Sequence, residues 1–263
     1  MELIDSVPLC PPEGACRATP GQPDHRLRPF VLGYGGFSSH NGAPIAHRVL
    51  PLSSTTLVFS FDGPFTVFSG PRAEAIVDGP TTWGRGVSVG LTPAGVSVLF
   101  GLPASVLAGQ LVGWRDLLGR RAEPLAERLA AAPSWPARFA LLDAALLARL
   151  GTAPPPSPVD AAWQRLQGPR IAVGALADRL GVSRRALELG FRREVGLPPA
   201  TVARVSRFQA ALGLLAEGVG PARAATGAGY ADQAHLTRST RAMAGLTPAQ
   251  LCAIVQYEPL PGA

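Results

Sequence analysis

The stretch LADRLGVSRRALELGFRREVGLPP, residues 176–199, decides the fold of the C-terminal part of this 263-residue chain. Apolar residues recur at helical spacing on both sides of Gly181, which predicts a helix, a tight turn and a second helix. Gly181 can adopt the left-handed backbone that the turn needs, and Ser183 is a good N-cap for the second helix. In that helix Leu187 and Phe191 face inward, which leaves the charged residues on the solvent face.

The same pattern returns at an offset of 49 residues and ends in the stretch GYADQAHLTRSTRAMAGLTPAQ, residues 229–250. The offset matches Gly196 with Gly245 and Pro199 with Pro248. Self-similarity at one fixed offset indicates two copies of a single supersecondary unit. The sequence therefore predicts two helix-turn-helix units in tandem.

The second copy and the segment before it complete the prediction. Gly229-Tyr230 forms the corner and Asp232 is the N-cap of the second helix. Residues 199–216, between the two copies, are predicted to form one long helix. Such a helix holds the two units at a fixed separation, and recognition helices in successive major grooves lie about 34 Å apart.

Residues 170–252 resemble the DNA-binding domain of the AraC/XylS family of transcription regulators, through the two stretches quoted above. The resemblance implies binding to double-stranded promoter or operator DNA, with RNA polymerase as a further partner. Thr240 departs from the pattern, because the first copy has Phe191 there and the family usually has an aromatic residue. The implied base-reading residues are Arg185, Glu188 and Leu189 in the first copy, and Gln233, Thr237 and Arg238 in the second.

The side chains at these positions have the chemistry that base reading requires. Arginine can donate two hydrogen bonds to guanine and glutamate can accept one from cytosine, so Arg185 and Arg238 are predicted to read guanine and Glu188 cytosine. Solvated helix faces that bind nothing are the alternative interpretation; two aligned copies favour DNA binding. The residues predicted to contact phosphates are Ser183, Arg184, Arg192, Arg193, Arg204 and Arg241.

The excess positive charge lies in the same part of the chain. The net charge is +6; residues 160–263 carry 12 Arg against 7 acidic residues, whereas residues 1–159 carry 12 Arg against 11. The C-terminal part is therefore the one suited to neutralising phosphates. Three cysteines, an odd number without a C-x-x-C spacing, indicate neither a disulfide framework nor a zinc site. The expected location is the cytoplasm, at the nucleoid, and not a membrane.

The expected fold class is α+β: a small β-sandwich or barrel-like domain with trailing helices, then an all-α double helix-turn-helix domain. Residues 1–25 are rich in Pro and Gly and predict a flexible tail. Residues 26–150 form the sensor or dimerisation domain, residues 151–159 a Pro-rich linker, and residues 160–263 the DNA-binding domain. No cofactor or metal is expected.

Within the N-terminal domain, the patterns predict strands first and helices later. Residues 57–61 and 65–68 read as two strands joined at Asp62-Gly63, and the alternation of Val96, Val98 and Phe100 also reads as a strand. After Pro103 the spacing is helical. Residues 139–150 predict an amphipathic helix that is apolar on more than one face, which makes it a candidate homodimer contact.

The N-terminal part also resembles the sensor halves of this family, in particular the actinobacterial type, through His47-Arg48-Val49-Leu50-Pro51 and the later helices. That likeness implies a small-molecule effector but assigns no effector-binding residue. A DNA-binding protein whose N-terminal half only dimerises is an alternative. Another is a β-barrel ligand-binding protein or enzyme with a fused helical domain.

Signals for other chemistries are weak, and no enzyme activity is expected. Residues 86–90, GVSVG, match a nucleophile elbow, but the one histidine that follows is His235 inside a predicted recognition helix, so a plain strand is the better interpretation. His25, His40 and His47 are isolated and better explained as surface or turn residues than as metal ligands. Residues 33–36, GYGG, are interpreted as a turn.

Overall fold

A computed structural model describes residues 3–9, 17–39, 45–62, 66–77, 82–118, 123–151, 155–168 and 171–255. The strands are β1 (Ser6–Pro8), β2 (Arg17–Gly21), β3 (Val31–Ser38), β4 (Ile45–Val49), β5 (Thr55–Ser60), β6 (Thr66–Ser69), β7 (Thr82–Trp83), β8 (Arg85–Leu91) and β9 (Leu111–Gly113). The helices are α1 (Pro93–Phe100), α2 (Trp114–Leu118), α3 (Glu123–Ala131), α4 (Trp135–Leu147), α5 (Pro158–Leu166), α6 (Val173–Arg179), α7 (Arg184–Glu194), α8 (Pro199–Ala216), α9 (Pro221–Gly227), α10 (Gln233–Ala244) and α11 (Pro248–Val255), with a short 3₁₀ helix at Ala104–Leu107.

The strands form two antiparallel sheets, a six-stranded one of order β2-β3-β8-β5-β6-β9 and a three-stranded one of order β1-β4-β7. Alternate residues of the large sheet face opposite sides. Leu57 and Phe59 belong to the core that packs against α1–α4, whereas Val58 packs with Val49 of the small sheet. The expected fold class, with a two-sheet N-terminal part followed by a helical C-terminal part, is confirmed.

Helix α4 packs directly on the large sheet because two of its aromatic side chains lie over glycines. A Cβ atom at Gly36 would be 2.5 Å from the Trp135 ring, and one at Gly21 would be 2.6 Å from the Phe139 ring. The interpretation of residues 33–36 as a turn is therefore wrong, since they lie within β3. The helix also begins earlier than predicted, because Ser134 caps it.

Two other sequence predictions differ from the structure. Residues 93–100 form helix α1 and not a strand, because the Thr92 hydroxyl accepts a hydrogen bond from the Gly95 amide and Pro93 suits the first helical turn. Residues 1–25 are not simply a tail: β1 pairs with β4 and β2 with β3, and Val7 is 2% exposed. Composition does not predict the strands of this segment, because it carries no information on the strands with which they pair.

The structure also differs from the predicted bounds of the linker and from the predicted conformation at Leu111. Helix α5 begins at Pro158, inside the predicted linker, because Ser157 and Asp160 form a reciprocal capping box. Residues 152–154 of that linker lie outside the described residues. Leu111, expected to be helical, begins β9, which pairs with β6.

The two helix-turn-helix units are confirmed as predicted. In the first, Ser183 accepts a hydrogen bond from the Ala186 amide and caps α7. In the second, Asp232 caps α10 by accepting from the His235 amide. Gly181 and Gly229 have φ angles of 66° and 79°, the left-handed backbone expected at each corner. Helix α8 connects the units over the predicted residues.

A shared core joins the N-terminal sheets to the helices of the C-terminal part. Val7 and Leu50 are buried together with Val205 and Phe208 of α8 and with Met243 of α10. Hydrogen bonds also join the two parts, since Trp163 of α5 and Gln209 of α8 both donate to backbone carbonyls of the N-terminal part.

The small sheet holds two titratable groups joined by one hydroxyl. Ser6 Oγ lies 3.4 Å from Asp5 Oδ1 and 3.2 Å from His47 Nδ1. Burial raises the pKa of the Asp5 carboxyl to about 6 and lowers the pKa of the His47 imidazole to about 4. His47 is buried within β4, so its interpretation as a surface or turn residue is wrong.

These two shifts have opposite effects on stability between pH 6 and pH 4. In this range the unfolded chain binds a proton on His47 that the folded protein does not bind, so His47 lowers the free energy of unfolding as pH falls. The folded protein binds a proton on Asp5 that the unfolded chain does not bind, so Asp5 raises the free energy of unfolding as pH falls. Asp5→Asn removes the Asp5 effect. As pH falls from 6 to 4, the free energy of unfolding of the variant should therefore decrease relative to that of wild type by up to about 1.4 kcal/mol per pH unit. Urea unfolding at four pH values measures this difference. A pH-independent difference would contradict it, and the exposed-acid variant Glu74→Gln is the control.

Candidate nucleic-acid interface

The solvent face of α7 carries the first predicted set of base-reading residues. Arg185 is exposed, and Leu189 is 56% exposed, although it is a large apolar side chain. Leu187 and Phe191 are buried on the opposite side of the helix. Leu189 belongs to none of the hydrophobic clusters that the described residues form, and an exposed leucine suits contact with a thymine methyl group.

Glu188 is held in place by an ion pair within α7. The Arg184 Nε and Glu188 Oε1 atoms are 2.9 Å apart, and the two side chains are 71% and 40% exposed. An exposed pair at i,i+4 contributes only about 0.3–0.5 kcal/mol, because water screens it. The pair therefore orients the Glu188 carboxylate while leaving it able to change partners.

The second recognition helix, α10, presents its residues in a similar way. Gln233 and Arg238 are exposed and Thr237 is partly exposed. Thr240, which replaces the aromatic residue of the first unit, is 1% exposed, and its hydroxyl donates to the Thr237 carbonyl. Tyr230 packs in the smaller core of this unit, with Ala225 and Leu236.

The residues predicted to contact phosphates are also at the surface. Arg192, Arg204 and Arg241 are exposed, whereas Arg193 forms an ion pair of 2.8 Å with Glu194. Ser183 is exposed and its hydroxyl oxygen serves as the cap of α7. The structure thus brings both predicted sets to the solvent faces of α7, α8 and α10; their contact with DNA stays a prediction.

The N-terminal domain binds the C-terminal ends of both recognition helices, which sequence reasoning missed. Ser105 Oγ donates to the Arg193 carbonyl at the end of α7. Arg48 Nη1 donates to the Ala244 carbonyl at the end of α10 over 2.8 Å, and the Ala75 amide donates to the Met243 carbonyl over 2.7 Å. A cation at a helix C-terminus is favourable because carbonyls there carry partial negative charge.

Helix α8 is fixed to the N-terminal domain by one buried amide. Gln209 is 2% exposed, and its Nε2 atom donates to the carbonyls of Ile4 (3.0 Å) and Pro51 (2.9 Å). Its Oε1 atom accepts from the Ile4 amide over 3.2 Å. The side chain therefore uses both its donor and its acceptor capacity on the N-terminal domain. Sequence reasoning placed no role on this residue.

A cavity of about 360 Å³ lies on the large sheet, on the face opposite α1–α4. Gly33 pairs with Gly90, Gly90 with Thr56, and Gly35 with Ser88, so these residues share one face. A Cβ atom at Gly35 would lie 2.8 Å from Ser88 Oγ and one at Gly90 3.3 Å from Leu32 Cβ, whereas at Gly33 the nearest atom is 3.6 Å away, so Gly33 is the glycine that leaves space above the sheet. Ser88 Oγ donates to the Gly35 carbonyl over 3.2 Å.

The walls of the cavity come from the N-terminal segment and from the chain before β5. Leu3 and Asp5 form one wall, and Leu52 and Ser54 another. Leu32, which is exposed, also lines the cavity and places its opening beside β3. The glycine spacing within β3 and β8 was the signal in the sequence, since a strand glycine often marks a close approach of another molecule or backbone.

The other candidate chemistries have plain structural explanations. Residues 86–90 lie in β8, as the strand interpretation predicts. Across the described residues no group of His, Cys, Asp and Glu could hold a metal ion. His40 lies outside those residues, and so do Cys10 and Cys16. No helix in the described part of the chain is long and apolar enough to cross a membrane.

Comparison with known proteins agrees with this architecture. Residues 176–253 match the helix-turn-helix domain family, and no curated protein sequence matches the chain. A structure of ToxT from Vibrio cholerae is similar to the chain at 7% identity and a TM-score of 0.50, over 91% of this chain and 98% of ToxT. At this identity the likeness concerns the fold, in which an N-terminal two-sheet domain precedes the helical region.

Two further ToxT structures are also similar. One, from Vibrio cholerae O395, is 9% identical with a TM-score of 0.48, over 93% of this chain and 98% of the other. The second, from Vibrio cholerae strain SCE256, is of ToxT bound to an unsaturated fatty acid. It is 7% identical with a TM-score of 0.48, over 99% of both chains.

Replacement of Gln209 by Met should weaken the junction between α8 and the N-terminal domain. The variant keeps the length of the side chain but removes its hydrogen bonds, which leaves buried backbone groups of Ile4 and Pro51 without partners. We expect a loss of about 2–4 kcal/mol in the free energy of unfolding. Urea denaturation measures it, with the exposed-site variant Gln164→Met as the control. Equal stability of the two variants would contradict the prediction.

Proposed function

We propose that this chain is a DNA-binding transcription regulator that reads two successive major-groove segments with α7 and α10, because residues 176–253 match a helix-turn-helix domain family. The observation that carries the proposal is the presentation of two capped recognition helices, with exposed polar faces, from one rigid connecting helix. A recognition helix reads base edges through the residues near its N-terminus. In α7 and α10 the N-terminal halves are those left uncovered by the N-terminal domain.

In this proposal the two helices divide the base reading between them. Arg185 and Arg238 donate to guanine, Glu188 accepts from cytosine, and Leu189 contacts a thymine methyl group. Gln233 and Thr237 provide further contacts, which in the case of Thr237 include its methyl group. The phosphate contacts are supplied by Ser183, Arg184, Arg192, Arg193, Arg204 and Arg241.

A promoter-binding role has consequences for the location and the partners. We propose a cytoplasmic, nucleoid-associated protein that contacts RNA polymerase at the promoter and acts as a regulator and not as an enzyme. The excess of arginine over acidic residues within 160–263 supports binding to nucleic acid at this end of the chain.

We propose that a small-molecule effector binds in the cavity of the N-terminal domain. The support is that, in each of two cavity walls, two lining residues flank a residue that is hydrogen-bonded to a helix of the C-terminal part. Ile4, which Gln209 binds, lies between Leu3 and Asp5 of the wall. Ser53, whose carbonyl accepts from Trp163 Nε1 over 3.0 Å, lies between Leu52 and Ser54 of the other wall. A ligand that moves either wall therefore moves α8 or α5.

We also propose a homodimer that forms through α4. Its larger apolar residues, Phe139, Leu142 and Leu146, pack on the chain's own sheet, which leaves Ala140 and Ala144 exposed. A shallow, mostly apolar groove lies beside this face, between α3 and α4. Sedimentation at micromolar concentration should give twice the monomer mass, and Ala144→Glu should give the monomer. A monomeric wild type would contradict the proposal.

An arginine that reads a base and an arginine that contacts a phosphate should respond differently to replacement by alanine. Arg185→Ala should cost about 1–3 kcal/mol at one base position and relax the preference there, whereas Arg192→Ala should weaken binding to all sequences alike. Selection from a random DNA library with the full-length protein, at stated salt, supplies the site and tests both variants. The wild type should select two short blocks about one helical turn apart.

Two results would overturn this assignment. If Arg185→Ala weakened binding uniformly across sequences, Arg185 would be a phosphate contact. If the selection yielded a single block, α7 and α10 would not read DNA together. Arg26→Ala, an exposed arginine that pairs with Asp24 in the N-terminal domain, is the control and should leave the selected motif unchanged.

A further inference from the structure

The cavity of the N-terminal domain has a one-sided charge. Among the described residues that line it, Asp5 is the one carboxylic acid and none is an arginine, lysine or histidine. The other polar side chains are neutral and include Gln22, Ser54 and Thr56. The described lining of this cavity therefore offers a ligand's charged group the Asp5 carboxyl group.

The Asp5 carboxyl group has few hydrogen-bond donors among the neighbouring side chains. Within the described residues its one side-chain donor is Ser6 Oγ, at 3.4 Å, which is longer than the usual range of about 2.5–3.0 Å for such a bond. The backbone amides of Asp5 and Ser6 stabilise the ionised form, but burial outweighs them and the pKa of the carboxyl group stays raised. A partly buried carboxylate without a cation is stabilised by any ligand that brings one.

The rest of the cavity suits a compact apolar body. Gly33 leaves space for a ligand against the sheet, because a Cβ atom there would have no neighbour closer than 3.6 Å, and Leu3, Leu32 and Leu52 also line the cavity. The volume of about 360 Å³ lies at the lower end of the roughly 300–1,000 Å³ of small-molecule sites.

We propose that this cavity binds a compact organic amine, with the ammonium group on Asp5 and the apolar body on the glycine floor between Leu32 and Leu52. The inference rests on the proposed function, since it names the chemical class of the effector. A carboxylate ligand is excluded by the same argument, because it would place a second negative charge beside Asp5 with no cation to offset it.

The position of Asp5 also gives the amine a route to the DNA-binding helices. Ile4, the residue before it, is bound through both its amide and its carbonyl by Gln209 of α8. The carbonyl of Asp5 itself accepts from the Leu50 amide, next to Pro51, which Gln209 also binds. A shift of Asp5 toward an ammonium group therefore acts on the contacts that place α8.

The test compares three probes that share one phenylethyl body. They are phenethylamine, 2-phenylethanol and 3-phenylpropionate, each titrated calorimetrically into the full-length protein. The amine should bind most tightly. Asp5→Asn, which keeps the shape of the side chain, should weaken the amine by about ten- to a hundredfold, the range for loss of a hydrogen bond to a charged group, and leave the alcohol unchanged. Glu74→Gln, which alters an exposed acid outside the cavity, should leave all three affinities unchanged.

A second variant tests the cavity without touching the charge. A Cβ atom at Gly33 would lie 3.6 Å from its nearest neighbour, the Gly21 carbonyl oxygen, so Gly33→Ala is tolerated by the fold and narrows the floor. It should weaken the amine and the alcohol alike. Thermal unfolding of each variant without ligand shows that it is folded.

The outcomes separate this inference from the proposed function. Tighter binding of the propionate, equal affinity of wild type and Asp5→Asn for the amine, or no binding of any probe at about 1 mM would overturn the amine site. The selection of a DNA motif without ligand is independent of these titrations, so the regulator assignment would stand. A failed selection together with Asp5-dependent amine binding would overturn the regulator and keep the site.

Discussion

The buried amide of Gln209 is the interaction on which the placement of the other parts depends. It lies on α8, between the two helix-turn-helix units, and binds two segments of the N-terminal domain, at Ile4 and Pro51. A buried amide that lost these partners would keep the full cost of its desolvation, so the geometry tolerates little displacement. The same two segments provide the walls of the cavity. This side chain thus links the connecting helix, the N-terminal segment and the cavity of the N-terminal domain.

The sequence predicts the parts whose structure depends on near neighbours. The recognition helices follow from the N-caps Ser183 and Asp232, the corner glycines and a spacing that places Leu187 and Phe191 on one face. Each of these signals operates over a few residues. Because the solvent face of a helix is the complement of its buried face, the exposed base-reading candidates could be predicted as well.

The parts that the sequence does not predict depend on contacts between distant residues. Gln209 and Ile4 are 205 residues apart, and the Arg48 side chain reaches a carbonyl 196 residues away. No periodicity reports such a contact. Strand β1 illustrates the same limit: three residues in a Pro-rich segment form a strand because β4 offers its edge, and Val7 is buried among side chains of α8, α10 and α11. The cavity needs this arrangement too, since one of its walls is the segment that composition predicts to be a tail.

The location of the interdomain contacts determines how an effector can act. The N-terminal domain binds the C-terminal ends of α7 and α10, at Arg193 and Ala244, and leaves their N-terminal halves exposed. The described residues of this domain therefore leave open the faces of α7 and α10 that we propose to read bases. What it does control is the placement of two rigid helices against each other. DNA fixes the separation of successive major grooves. A small change in the position of α7 relative to α10 therefore determines whether both helices can bind at once. A ligand that shifts the walls of the cavity changes affinity for paired sites more than for single ones, because a single site requires no particular separation.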